Sequence, residues 1–174
     1  MKYLLLLILT GLLLSNCTST ETVTTDQEPE VQEEVIEERF APEWYDKEVE
    51  SATDSLTFSA YSYAIAEGEE RAREQSNRVA LSNLRFEIDR FVESARADLE
   101  EEHGRDPFGT QQLIMNIRNA VQNLDLSDAE FEYELREEEG FNHVFTKVHI
   151  SRENIVNSLA EAISNSTLSA SLRD

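Results

Sequence analysis

The sequence predicts an α+β domain in two layers, a three-stranded, mainly antiparallel sheet packed by one long helix and shorter helices. Two observations carry that prediction. Apolar and polar residues alternate along three stretches, one early and two late, which is the period of half-buried strands. Between them a stripe of small and then larger apolar residues recurs at three- and four-residue steps, which is the period of a helix with one face in the core.

The first strand is expected between Ser55 and Tyr63, with Leu56, Phe58 and Ala60 on one face and Thr57, Ser59 and Tyr61 on the other. The long helix should run from Glu67 to about Glu102, burying Ala72, Ser76, Val79, Ala80, Asn83, Leu84, Ile88, Phe91, Val92, Ala95 and Leu99. Glu69, Glu70, Arg73, Arg85, Glu87, Arg90 and Arg96 cover its other sides. Small residues at the start of the stripe should let the helix approach the sheet closely, and Leu and Phe should fill the later part. Gly104, Asp106, Pro107 and Gly109 break the helix. A second helix follows over roughly 110–123, with Leu113, Ile117, Ala120, Val121 and Leu124 inward.

Two strands come next. Ala129, Phe131, Tyr133 and Leu135 alternate with Glu130, Glu132, Glu134 and Arg136, and Gly140 marks the turn. Val144, Thr146, Val148 and Ile150 return on one face, opposite Phe145, Lys147 and His149. The two strands suit an antiparallel pair in which Lys147 offsets the glutamates beside it. Ser151 is placed to cap a last helix that buries Ile155, Leu159, Ala162 and Ile163. The domain is thus expected over 41–165, and the polar residues 166–174 are expected to be a frayed tail. The chain shows no internal repeat.

The first sixteen residues differ from the rest. Lys2 precedes an apolar run of about 11 residues, short of the roughly 20 that a spanning helix needs and suited to a secretion signal. Its exit, Leu14-Ser15-Asn16-Cys17, resembles the lipobox of bacterial lipoproteins. That resemblance implies a signal peptide over 1–16, removed so that Cys17 becomes the lipidated first residue, with palmitate-like acyl chains holding the protein to a membrane. A secreted protein with a stray cysteine is the alternative. Cys17 is the only cysteine, so no internal disulfide can form. Thr18 rather than Asp follows it, which by resemblance to sorting rules points to the outer membrane; the periplasm-facing side is expected, with the outer leaflet as the alternative. Residues 17–40 read as a lipidated cysteine and a flexible acidic tether, in which Glu28, Glu30, Glu33, Glu34, Glu37 and Glu38 repel one another around Pro29.

The apolar signal returns at Phe40, Pro42, Trp44 and Tyr45, beside the tether and where the domain should begin. Trp44 and Tyr45 read as an aromatic lid on the domain's edge, or alternatively as a surface for a partner or glycan. The stretches Ala41-Pro42-Glu43-Trp44-Tyr45, Phe58-Ser59-Ala60-Tyr61-Ser62-Tyr63-Ala64, Glu70-Arg71-Ala72-Arg73 and Ala80-Leu81-Ser82-Asn83-Leu84, together with the lipobox, resemble the LPP20 lipoprotein family. That family includes flagellar outer-membrane lipoproteins that build basal disks. The resemblance implies an outer-membrane lipoprotein with an α+β domain and a tendency to self-associate, and it carries over no catalytic residue.

Charge and motif content narrow the function classes. A formal net charge of −21 argues against a nucleic-acid partner, which needs cations to displace counterions from phosphate, and against adsorption to anionic lipid. His103, His143 and His149 match no zinc spacing. The runs Glu100 to Glu102 and Glu137 to Glu139 read as solvated, and 101–106 lacks the order of a calcium loop. There is no Gly-x-Ser-x-Gly elbow, and with five glycines no phosphate loop. No catalytic residue, metal site or cofactor is therefore expected. The favoured class is a structural or protein-interaction module anchored in the envelope, paired with copies of itself or with an envelope protein. A hydrolase, or a lipoprotein binding a small ligand or divalent cation, is the second class and would require a cleft with converging polar groups. The edge strand, the Trp44–Tyr45 lid and the outer face of the long helix are the candidate surfaces.

Overall fold

The computed structural model describes residues 40–173; Cys17, the leader and the tether lie outside the described residues. The described chain is α+β, and its sheet has four strands rather than three. Strand β1 (Ser51–Thr53) and strand β2 (Thr57–Ala66) precede the long helix α1 (Glu69–His103). After a short turn α2 (Arg105–Phe108) and helix α3 (Gln111–Gln122) come strands β3 (Glu130–Glu138) and β4 (Phe141–Ser151), then α4 (Arg152–Ala162) and α5 (Ser166–Ser171). The strand order is β1-β2-β4-β3 and every pairing is antiparallel. The extra strand β1 is too short to show a period. It is held by its ladder to β2 and by Glu87 of α1, which accepts from Ser51 Oγ at 2.7 Å and Thr53 Oγ1 at 2.5 Å.

Helix α1 follows the expected stripe closely. Ala72, Ser76 and Ala80 are fully buried, and Ser62 Oγ meets the Ser76 carbonyl at 2.8 Å and its hydroxyl at 2.7 Å, so small side chains do bring helix and sheet together. Leu84, Ile88 and Val92 then fill the wider gap above Phe58, Val148 and Ile150. Two positions differ from expectation. Val79 is exposed, and Glu87, assigned to the polar side, is only 4% exposed because β1 comes down on it. Asn83 has a polar task inside its stripe, donating to the Tyr61 carbonyl beyond the end of β1. Near the far end, Arg96 bridges Glu93 and Glu100 and donates to the Phe108 carbonyl at 3.1 Å.

The remaining elements have local causes. Thr110 Oγ1 accepts from Leu113 N to start α3, Ser151 Oγ from Asn154 N to start α4, and Asn165 Oδ1 from Leu168 N to start α5. Glu139 and Gly140 both have positive φ, 52° and 82°, as a two-residue type I′ hairpin between β3 and β4 requires. Leu56, expected to share a buried face with Phe58, lies instead in the exposed β1–β2 loop, where Asp54 accepts from Leu56 N and Thr57 N. Ala162 is exposed at the end of α4, and Val156 fills the inward position not named for it.

The expected frayed tail is overturned as well. Residues 166–171 form α5, and Leu168 and Leu172 are fully buried in the main core. Their four-residue spacing puts both on one helical side, and Ser169 Oγ ties the turn back to the Ala160 carbonyl at 3.2 Å.

Candidate functional site

One face of the sheet lies against the helices. Pairing across the strands assigns the other face to alternate residues: Ser59, Tyr61, Tyr63 and Ile65 of β2, His143, Phe145, Lys147 and His149 of β4, and Glu130, Glu132, Glu134 and Arg136 of β3. On an ordinary two-layer domain this face would meet water. Here residues 40–49 cross it. A turn from the Pro42 carbonyl to Tyr45 N and a second from Asp46 to Val49 fold this segment back, and Pro42 is buried beneath it.

The aromatic side chains of this segment pack against those of the strands. Trp44 stacks on Tyr61 with ring centres 6.3 Å apart, and Tyr45 lies edge-on to Phe145 at 5.0 Å. Tyr63 stacks on Phe145 at 4.7 Å, and Phe40 meets His143 edge-on at 5.0 Å. The hydroxyl of Tyr63 hydrogen-bonds with Nδ1 of His143. Trp44 and Tyr45 therefore are a lid, as the sequence suggested. Its seat was not anticipated, because Tyr61 and Phe145 occupy positions that alternation assigns to the polar side.

Burial pushes the phenols of Tyr45 and Tyr63 above their ordinary value of 10.0; nearby Asp46 and Glu50 add to the shift at Tyr45, and Tyr45 and Glu138 at Tyr63. A raised folded-state value means that the unfolded chain loses its phenolic protons first. The lid's contribution is thus complete below pH 10 and declines as pH rises through the raised values. Trp44 is the only tryptophan, so its emission reports the lid directly. We expect a red shift of that emission above pH 10, reduced in Tyr45→Phe. A shift completed well below pH 10 would mean that other groups hold the lid.

Two recesses lie near these residues. A shallow cleft of about 730 Å³ is bounded by Phe40, Tyr45, Lys47, Tyr63 and Phe145. Four aromatic rings form its floor and Asp46, Lys47 and Glu48 its charged rim, and the Tyr63 hydroxyl is already engaged by His143 Nδ1. A second, of about 540 Å³, runs between α3 and α4 past Asn119, Asn123, Asp125 and Ser158. Three of those side chains bond locally: Asn123 Nδ2 donates to the Asn119 carbonyl, Ser158 Oγ donates to the Asn154 carbonyl, and Asp125 Oδ1 accepts from Ser127 N.

The histidines are scattered. His143 and His149 do share a face of β4, but six residues of strand separate them by about 20 Å. His103, the last residue of α1, lies against the Phe108 ring. His149 lies 3.4 Å from Glu130 and 3.6 Å from Glu132. Among the described residues no three potential ligands are grouped to hold a metal ion, and no helix is long and apolar enough to cross a membrane.

Strand β3 forms the exposed margin of the sheet. Its register with β4 is unbroken from Glu130–His149 to Glu138–Phe141, and Lys147 Nζ reaches Glu132 at 2.9 Å, the compensation expected. Only the start of its apolar side reaches the core. Phe131 packs there, whereas Tyr133 and Leu135 are more than a third exposed because β3 lies at the sheet's margin. The Arg73 guanidinium lies 4.7 Å over the Tyr133 ring.

Comparison with known proteins returned no matching family model, no similar curated protein and no similar solved structure.

Proposed function

We propose that this chain is a lipid-anchored envelope protein whose domain serves as a structural or protein-interaction module. In this reading Cys17 carries the acyl chains, the protein resides in the outer membrane facing the periplasm, and residues 18–40 space the domain from the lipid. The leader, the Leu-Ser-Asn-Cys exit and the resemblance to the LPP20 lipoproteins support the anchor.

One observation carries the interaction reading. The domain's interior is filled and the second face of its sheet is roofed by aromatics, while a nine-residue strand is left along the margin with half-exposed Tyr133 and Leu135. Exposed edges of this length are commonly blunted or covered; among the described residues no strand covers this one, which suits a partner better than a small substrate. Phe86, 62% exposed on α1, is a second candidate contact.

Crosslinking of the lipidated protein in its native envelope tests this reading. We expect defined adducts with a neighbour; a monomer with no captured neighbour would overturn it. A separate prediction concerns the anchor. Cys17→Ala should move the protein from the membrane to the soluble fraction and leave the domain's melting midpoint unchanged, because in this reading the residue serves anchoring and not packing. Continued membrane attachment of the variant would refute the anchor.

A further inference from the structure

The interaction reading leaves the partner's chemistry open, and the edge of β3 narrows it. Resting on that reading, we propose that the outer edge of β3 docks an extended segment of another protein in which basic and apolar residues alternate.

The backbone supplies the first argument. No described strand pairs with the outer side of β3, and among the described residues no loop or turn hydrogen bond reaches residues 130–138. In an antiparallel strand alternate residues turn their N–H and C=O groups outward, so about half of this strand's backbone groups face away from β4. Of the usual devices against strand addition β3 carries only charge, five glutamates and Arg136 in nine residues, with no proline, no lysine and no bulge, so the strand is closed to like-charged segments and open to basic ones. The opposite margin, β1, is only three residues long.

The side chains supply the second. On the roofed face β3 presents Glu130, Glu132, Glu134, Arg136 and Glu138; on the other it presents Phe131, Tyr133, Leu135 and Glu137. The five carboxylates have two permanent cations for company, Lys147 on Glu132 and Arg136 on Glu134. Glu130 remains widely exposed, with only His149 beside it. An added strand keeps the alternation of the one it joins. Its cations would fall beside Glu130 and Glu138, and its apolar residues beside Tyr133 and Leu135.

Charge also separates this occupant from two others. A second copy, paired in the fully overlapping antiparallel register, gains Glu132–Arg136 and Tyr133–Leu135 contacts but sets Glu134 against Glu134, Glu130 against Glu138 and Phe131 against Glu137. Two chains of net charge −21 repel each other before contact. The chain's own residues 28–38 carry six glutamates and no cation, and so match the edge no better. A basic strand gains on both counts.

The test uses the full chain in detergent and a capped synthetic peptide of alternating Lys and Val, with an alternating Glu and Val peptide as control. We expect the Lys–Val peptide to bind, to slow amide exchange within residues 130–138, and to weaken as salt rises. Reversing three exposed charges together, Glu130→Lys, Glu137→Lys and Glu138→Lys, should weaken it about tenfold and favour the control peptide instead. Equal binding of both peptides, no binding, or protection confined to another element would overturn the inference. In the native envelope, a photoreactive residue is placed at Leu135 in one variant and at Phe86 in another. Adducts from Phe86 alone would refute the β3 site and leave the interaction role standing. Adducts from Leu135 to a second copy, or to residues 28–38, would also refute it. Adducts from neither position would sink the interaction role itself, whatever the peptide does.

Discussion

Removing residues 164–174 is expected to unfold the domain or bring it to the margin of stability. Leu168 and Leu172 are fully buried in the main cluster, and truncating a core leucine to alanine costs about 2–5 kcal/mol. Losing both, together with the turn of helix that carries them, takes away a large part of the roughly 5–15 kcal/mol that holds a typical domain folded. The single changes Leu168→Ala and Leu172→Ala separate packing from chain length. Each should lower the melting midpoint by on the order of 10 °C, measured by circular dichroism. A frayed tail would instead give changes within about 0.5 kcal/mol, as ordinary surface positions do. Midpoints unmoved in both variants would show that α5 does not dock.

Glu87→Ala should be nearly as costly for a different reason. The Glu87 carboxylate accepts from Ser51 and Thr53 and pairs with Arg90. Hydrogen bonds to a charged group are worth about 1.5–3 kcal/mol each, and relief of the buried carboxylate's desolvation returns part of this. A net loss of about 2–3 kcal/mol follows. The damage should be local before it is global. Strand β1 is three residues of Ser, Ala and Thr, with no large apolar side chain to hold it. Its release frees the Tyr61 amide from the neighbouring Glu50 carbonyl, a contact of 2.8 Å. Faster hydrogen exchange at Tyr61 in Glu87→Ala, with an intermediate rate in Glu87→Gln, is the expected signature. Unchanged exchange would mean that the β1–β2 ladder alone secures the strand.

These two sites mark where the amino-acid pattern was legible and where it was not. Long regular elements were readable because their periodicity repeats. The stripe from Ala72 to Leu99 located α1 to within two residues of its observed ends, and the alternation around Phe131 and Val148 located β3 and β4. Strand β1 repeats nothing, so its contact with Glu87 could not be foreseen, and a carboxylate on the flank of the stripe read as solvated. The last turn was missed because its composition is polar, although Leu168 and Leu172 already stood four residues apart. The lid was half legible. Pro42, Trp44 and Tyr45 announced an aromatic edge, but Tyr61 and Phe145 looked like solvent-facing members of their strands. Only a second covering layer makes such positions apolar.

At about 1.5 Å per residue, the 35 residues of α1 extend about 50 Å, whereas the ten residues of β2 reach only about 33 Å. The rod therefore overhangs its floor. Its first half lies on β2 and β4 through its own Ala72, Ser76 and Ala80; its last turns are clasped by Arg96, Phe108 and the start of α3. One continuous helix thus ties the packing around Phe108 to the strands, so a helix-breaking substitution midway along α1 would uncouple the two ends.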